Sequence, residues 1–442
     1  MTNRLISKWI SHCERNGEAL FLSNENDTWT YADLANSMKS CENALKKIRP
    51  GVCLIEGDYS VNSISWLISG LAFEWRMVPV VSTNPSIIAT RKNIAGATHR
   101  VSNNTDWIVE SLNSNISTPT DLDIDESGVI LFSSGTTGEP KAMCKNIDLN
   151  LADGRHLKAK SLSMGLLLLF DHIGGLNTLL SGLRKSAHLI APLERSPRVL
   201  ARLIETHAVR VLPCSPTFLN MMYLDGVFDE FDFKSLRLVT YGTERMPDEL
   251  LKRLSAMHPR IKFMQTFGTS EIGIVQTKSL SSSSTFFTID DPSVEWKVVD
   301  KELWLRSNSQ ISGYLNTKEK AIDDGWFKTG DLVDLRDDDY FKIVGRKKEV
   351  INVGGEKVLP GEIEDLLMSI DQVIDCTAFS VPNVITGQAV GVRVVTAKGV
   401  DVKELKRNIR QFSRAKMESF KVPAKIIFEE DLKHTERFKK ER

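Results

Sequence analysis

Apolar runs recur along the first two thirds of the chain, and each ends in a small polar loop. GVILF (128–132) runs into Ser133, Ser134, Gly135, Thr136, Thr137 and Gly138. VRVLP (209–213) runs into Cys214, Ser215 and Pro216. LRLVT (236–240) runs into Tyr241, Gly242, Thr243 and Glu244. IKFMQ (261–265) runs into Thr266, Phe267, Gly268, Thr269, Ser270 and Glu271. Between them, PRVLARLIETH places Val199, Leu200, Leu203 and Ile204 at helical spacing. Strand, polar loop and helix in alternation predict α/β sheets, whose ligands collect at the carboxyl ends of the strands. These loops are therefore expected at one shared site.

The pattern changes downstream. SLSSSSTFFT (279–288) reads as a serine-rich surface loop, and EWKVVDKELWLRS (295–307) alternates as antiparallel strands do. The last hundred residues read as a separate small unit. Ile363, Leu366, Leu367 and Ile370 share one helical face, and Leu405, Ile409 and Phe412 share another. TAFSVPN and AVGVRVVTA read as strands between these two helices. GRKKEV (345–350) is charged and has little to bury, so it reads as a linker or hinge. The expected division is 1–345 and 346–442.

Composition narrows the function classes. Lysine plus arginine is 57 and aspartate plus glutamate is 57, a balance that gives polyanion binding no support. The six cysteines have neither metal-ligand nor redox spacing, so reduced thiols in a cytoplasmic protein are expected. The amphipathic N-terminus lacks the apolar core of a signal peptide. MGLLLLFDHIGGLNTLL is interrupted by Asp171 and His172, and no run approaches the roughly 18 residues of a membrane span. No nucleic-acid partner is expected, and the oligomeric state is open.

The chemistry begins at residues 133–141. A run of serine, threonine and glycine is commonly a flexible surface loop. Here it follows a strand, carries glycines at 135 and 138, and ends in Pro140 and Lys141. Backbone N–H groups, hydroxyls and a lysine make an anion cradle. The spacing is not that of a Walker loop, and Ala142 stands where that motif has its magnesium-binding hydroxyl.

SSGTTGEPK resembles the phosphate loop of the adenylate-forming superfamily: acyl-CoA synthetases, peptide-synthetase adenylation domains and firefly luciferase. Other segments resemble the family in the same order: TWTYADLA (28–35), FGTSEIG (267–273), ELWLRSNSQISGYLN (302–316), GWFKTGD (325–331), GRKKEVINVGGEKVLPGEIE (345–364) and LKHTERFKKER (432–442). The resemblance implies a large N-terminal AMP-binding domain of sheets with flanking helices plus a small barrel-like part. It also implies a small, mobile α+β C-terminal lid.

It implies roles as well. Ser133, Ser134, Gly135, Thr136, Thr137, Gly138 and Lys141 would hold the β- and γ-phosphates of ATP. Glu271 would ligate Mg2+, the hard cation that prefers oxygen. Thr269 and Ser270 would bond phosphate or carboxylate oxygens, Asp331 the ribose hydroxyls, and Arg346 the ribose or phosphate. Gly242, Thr243 and Glu244 would pack beside adenine with Thr266, Phe267 and Gly268, and Tyr241 or Phe267 would stack on it. His172 would lie near the substrate carboxylate, with Gly174 and Gly175 shaping the pocket floor. Lys439 would be the catalytic lysine, selected by its spacing from Thr435, although Lys433 and Phe438 replace the family's proline and glycine. Lys348 would occupy the hinge, and Gly355 the side of the thiol channel.

The expected reaction is ATP-dependent activation of a carboxylic acid to an acyl-adenylate. Acyl transfer to CoA or to a phosphopantetheine carrier protein acting in trans would follow. An amino acid is the alternative substrate, because Asp171 follows a phenylalanine as in peptide-synthetase domains. A catalytically degenerate nucleotide-binding member is the other alternative. The chain is shorter than typical members, with 85–121 and 276–300 looking abridged.

Overall fold

The alternation of strands and helices resolves into two sheets that are parallel at their centres. The computed structural model describes residues 2–103, 106–112, 127–133, 139–151, 162–397, 399–430, 432, 435 and 440. In the first sheet the strand order is Lys262–Gln265, Leu238–Tyr241, Val211–Cys214, Ser163–Gly165, His188–Ile190, Leu20–Ser23 and Thr28–Thr30. All neighbours run parallel except the last pair. In the second the order is Glu110–Ser111, His99–Ser102, Val52–Glu56, Arg76–Val80, Gly128–Ser133 and Lys141–Lys145, with antiparallel strands only at the two edges.

Helices are set between the strands by local signals. Thr30 caps the helix Tyr31–Leu45 and Asp33 returns the bond to the Thr30 backbone, a capping box. Ser196 and Ser215 cap the helices Pro197–Thr206 and Pro216–Leu224, each with proline in the first turn. The first helix, Thr2–Arg15, buries Ile6, Trp9, Ile10 and Cys13, and the Trp9 indole donates to the Leu149 carbonyl at 2.9 Å. Among the described residues, no helix is long and apolar enough to cross a membrane.

A third, antiparallel sheet follows, built on Glu302–Ser307, Trp326–Leu335 and Phe341–Arg346. It frames the serine-rich stretch, whose residues 280–286 form a loop as expected. Thr277–Ser279 and Phe287–Ile289 are paired strands, and Phe287 is fully buried. The serines stitch this hairpin to strand Lys262–Gln265: Phe263 N–H donates to Ser282 Oγ, and Gln265 N–H to Ser279 Oγ, both at 2.8 Å. Hydroxyls here satisfy strand donors, so the serine loop also seals the edge of the neighbouring sheet.

The C-terminal unit has its own core. Ile363 and Leu367 from helix Pro360–Met368 pack with Leu405 and Ile409 from helix Val402–Lys416 and with Val390, Val392 and Val394. The charged seam is shorter than expected, because strand Phe341–Arg346 runs through Arg346 and a 3-10 turn, Lys347–Glu349, follows.

The sharpest packing constraint falls beside His172. A Cβ on Gly175 would lie 2.1 Å from the Leu169 carbonyl oxygen and 2.5 Å from the Tyr59 hydroxyl. Backbone cannot yield as a flexible side chain does. Gly175→Ala should therefore lower stability by about 1–3 kcal/mol, the cost of overpacking. Denaturant titration checks this, and an unchanged midpoint would show that the helix start is free to shift.

Candidate active site

Three parallel strands end level with one another. Cys214 pairs with Tyr241, and Tyr241 with Gln265, so their loops emerge side by side. The two later loops touch. Thr266 N–H and Thr266 Oγ1 donate to the Tyr241 carbonyl at 2.7 and 3.0 Å. A Cβ on Gly242 would lie 2.7 Å from the Thr266 carbonyl oxygen, so only glycine permits this approach. The next residue is strained: Thr243 has φ of +72°, a left-handed conformation that β-branched residues avoid.

The loops enclose a cleft of about 530 Å³. Ser133 and Lys141 enter it from the second sheet, His172 from the start of helix Ile173–Arg184, and Arg346 and Lys348 from the seam. Gly242, Thr243 and the whole segment Thr266–Glu271 complete its wall. A second cavity of about 210 Å³ shares Thr243, Thr266, Phe267, Gly268, Arg346 and Lys348 with the first, and adds Glu244, Asp331 and Ile343. Thus the loops that the sequence places at strand ends do form one site. Ser134, Gly135, Thr136, Thr137, Gly138 and Lys439 lie outside the described residues.

Each side chain is held by specific partners. Glu271 is buried, and its Oε1 accepts from the Tyr314 hydroxyl at 3.0 Å. Lys141 Nζ lies 5.1 Å from the Tyr314 ring centroid and 2.5 Å from Glu319 Oε2. Asn316 fixes the strand that carries Lys141, accepting from Ala142 N–H and donating to the Pro140 carbonyl, both at 2.9 Å. Asp331 and Arg346 are cross-strand neighbours, and Arg346 Nε meets Asp331 Oδ1 at 2.7 Å. His172 caps its helix, with Gly174 N–H donating to Nδ1 at 3.1 Å. That bond fixes Nδ1 as acceptor, so the neutral ring carries its proton on Nε2.

The cavities separate some of the expected residues. Tyr241 is fully buried in the apolar core and lines neither cavity, whereas Phe267 lines both, so of these two Phe267 is the one a ligand can reach. Glu244 lines the smaller cavity, and its Oε1 accepts from Thr217 N–H at 2.7 Å, at the start of helix Pro216–Leu224. Gly355 lines neither cavity. It sits in the turn between Ile351–Val353 and Glu356–Val358 with φ of +98°, and that conformation accounts for its being glycine.

Other residues of the site carry no motif. Lys145 Nζ donates to the Ile272 carbonyl at 2.7 Å and to the Ser309 carbonyl, bracing the loop that presents Glu271. Arg245 holds Asp365 of the C-terminal unit with two bonds of 2.8 and 3.0 Å and donates to the Gly361 carbonyl at 3.1 Å. Gln265, Asn220 and Lys440 line the smaller cavity. Gln265 ends an apolar run, and nothing in its spacing marks it. Among the described residues, no group of three or more His, Cys, Asp or Glu is placed to hold a metal. Glu271 is a single carboxylate beside a phosphate-sized cleft, which suits Mg2+ shared with phosphate oxygens rather than a protein cage.

A nucleotide-handling α/β fold with a separate C-terminal unit is thus defined by strands, cleft and seam. The chain belongs to the AMP-binding enzyme family of the adenylate-forming superfamily: the family's profile matches residues 76–315, and that of its C-terminal domain matches 362–439. Among curated relatives, 4-coumarate-CoA ligase 1 of Narcissus pseudonarcissus is 29% identical over 318 residues, covering 64% of this chain and 58% of that protein. The fatty acid–[acyl-carrier-protein] ligase MmaC of Mycobacterium marinum is 26% identical over 364 residues, covering 71% of this chain and 67% of its own. The chain thus spans about three fifths of the length of the plant ligases it matches. Among solved structures, an anthranilate CoA ligase, AuaEII, in complex with anthranoyl-AMP matches with a TM-score of 0.78 at 18% identity, over 97% of this chain and 94% of that one. The amide bond synthetase McbA of Marinactinospora thermotolerans matches with a TM-score of 0.76 at 18% identity, over 98% and 97%. These likenesses show the fold.

Two variants test the local physics. Thr243→Gly removes the strained φ and should raise stability by about 1 kcal/mol while weakening nucleotide binding. Thermal melting and AMP titration measure the two effects, and a lowered melting midpoint would contradict the strain. For Lys145, burial pushes the ammonium down to about 8, against the pull of the Glu271 carboxylate. The unfolded chain, with a lysine pKa of about 10.4, binds more protons than the folded chain across that interval. Stability should therefore rise as pH goes from about 8 to about 10.4. Lys145→Met should lose that rise in thermal melts, and parallel pH profiles would refute the assignment.

Proposed function

We propose that the chain is an AMP-forming acid–thiol ligase. The observation that carries this reading is the joined pair of cavities. Lys141, His172 and Glu271 face the larger one, and Phe267, Asp331 and Arg346 line the smaller. The smaller cavity suits a nucleoside, with Phe267 as a stacking face and the Asp331 carboxylate as acceptor for ribose hydroxyls. The larger suits the phosphates and the acid. A carboxylate oxygen of the acid attacks the α-phosphorus of ATP, the bond to pyrophosphate breaks, and an acyl-adenylate forms. A thiol then takes the acyl group, and AMP leaves.

Positioning and charge stabilisation dominate such phosphoryl chemistry. Lys141 and the Ser133 loop neutralise the departing pyrophosphate, while Thr269 and Ser270 orient the oxygens. Glu271 would hold Mg2+, which would supply further charge compensation when bound. His172 presents Nε2–H to the acid, because Nδ1 is committed to the helix start. Lys439 is assigned to the transition state of the first step on the family motif.

The acid has an uncharged tail in this reading. The acyl end of the cleft is lined by Leu168, Ile173, Gly174, Pro213, Cys214 and Ile274. Asp171, the residue that would pair with an amino group, is buried in an ion pair with Arg91 and does not line the cleft. An amino acid therefore finds no counter-ion there among the described residues. The acceptor is a thiol of CoA or of a carrier protein. The curated relatives named above include one ligase of each kind.

Pyrophosphate–ATP exchange over a panel of aryl, alkyl and amino acids tests the first step, and CoA or a phosphopantetheinylated carrier tests the second. Exchange is expected with uncharged acids. Exchange with no acid would leave a nucleotide-binding protein, and exchange best with an amino acid would overturn the tail assignment. Lys439→Ala should slow adenylate formation by about 10²–10³ while sparing thioester formation from a supplied adenylate. Equal slowing of both steps would remove Lys439 from the first.

A further inference from the structure

One wall of the smaller cavity belongs to a helix that also holds the C-terminal unit. Asn220, on helix Pro216–Leu224, is 3% exposed and lines the cavity. Its Nδ2 donates to Asp375 Oδ2 at 2.7 Å. Asp375 lies on strand Val373–Asn383 of the C-terminal unit and is 2% exposed. Its Oδ1 accepts from Lys440 Nζ at 2.5 Å and from Cys376 N–H at 2.7 Å. Lys440 Nζ also donates to the Cys376 carbonyl at 3.0 Å, and its N–H lies 3.4 Å from Glu244 Oε2. A helix of the large domain, a strand of the small one and the tail thus meet in one buried line.

The line has a free end at the cavity. Asp375 is an acceptor, so the Asn220 amide must turn its nitrogen toward it, and Oδ1 is left facing elsewhere. Among the described residues, Asn220 Oδ1, Thr217 Oγ1 and Thr243 Oγ1 are buried without a hydrogen-bond partner. All three residues line the same cavity. Buried polar atoms are rarely left unpaired, and three around one cavity point to a ligand that pairs them. The other end of the line stays charged. Burial lowers the Lys440 pKa, but the Asp375 and Glu364 carboxylates outweigh it and the net shift is upward.

We propose that Asn220, Asp375 and Lys440 form a positioning chain through which a nucleotide in the smaller cavity fixes the C-terminal tail against the large domain. The ligand orders Asn220 by pairing its Oδ1, Asn220 then holds Asp375, and Asp375 holds Lys440. The adjacent Lys439 is thereby registered for adenylate formation, a last step that rests on the acyl-adenylation reading. None of the three touches reacting atoms, so they act on geometry. Misplacement of a catalytic group by about 1 Å costs on the order of 10²-fold in rate.

Two measurements on the full chain test this. Hydrogen exchange with AMP as the probe reads the chain without any turnover. In the native protein AMP should protect strand Val373–Asn383 together with strand Lys262–Gln265. In Asp375→Asn it should protect only the second. Asn220→Asp, which sets two carboxylates against each other, should give the same result where Asp375→Asn does not fold. Pyrophosphate exchange should fall about 10²-fold in kcat for either variant, with thioester formation from a supplied adenylate unchanged. Full protection of Val373–Asn383 in both variants, or equal slowing of both half-reactions, would overturn the proposal. If the native protein exchanges with no acid, the acyl-adenylation reading fails alone, and the hydrogen-exchange result still decides the chain.

Discussion

Gly242 and Thr266 meet where two neighbouring parallel strands end, and a methyl group on Gly242 would lie 2.7 Å from the Thr266 carbonyl. That approach brings the loops 242–245 and 266–271 into a single wall. Each residue after Gly242 then has a different task. Thr243 faces both cavities, Glu244 accepts from the start of helix Pro216–Leu224, and Arg245 reaches out to Asp365 of the C-terminal unit. Cavity lining, helix orientation and domain docking therefore depend on four consecutive residues. A shift at Gly242 would move all of them together, which is why strain at Thr243 persists: the surrounding contacts over-determine it.

The junction between the two units is polar where their cores are apolar. The core around Ile363, Leu367 and Val392 contains only residues of the C-terminal unit. Polar contacts across the seam include Arg245 with Asp365, Arg253 with the Met368 carbonyl and Asn220 with Asp375. Charges buried in such a place lose hydration and recover it only through good geometry, so their net stabilisation is small. A junction of this kind gives strong orientation with little adhesion. It differs from an apolar interface, which holds by area and tolerates sliding.

Much of this was legible in the chain itself. The strand-end loops could be read because several apolar runs in succession end in glycine and hydroxyl residues, and parallel strands bring such ends together. Asp331 and Arg346 belonged to recognisable segments, and the register of their strands makes them neighbours. Lys145, Arg245 and Asn220 could not be read. A buried lysine that donates to carbonyls looks in sequence like any surface lysine, because its partners Ile272 and Ser309 are distant along the chain. Asp171 shows the converse. Its neighbours in sequence suggest a substrate contact, yet its partner, Arg91, comes from a helix eighty positions earlier and removes it from the pocket. Gly355 shows a related ambiguity, since a turn uses the same small residues as a binding loop.

The pairing of Asp331 with Arg346 also limits where the chain can bend. Arg346 is the last residue of its strand and is tied across to Asp331, which is itself buried. A bend before Arg346 would break that ion pair and the strand pairing beside the smaller cavity. After Arg346 the chain passes through the 3-10 turn Lys347–Glu349, where no side chain is buried. A rotation of the C-terminal unit that keeps this pair would turn about residues beyond Arg346. Such a rotation would exchange the contacts of Arg245 and Asn220 and leave the Asp331–Arg346 pair in place. The ion pair and the 3-10 turn are thus adjacent in the chain, and Arg346 belongs to the sheet that carries Asp331.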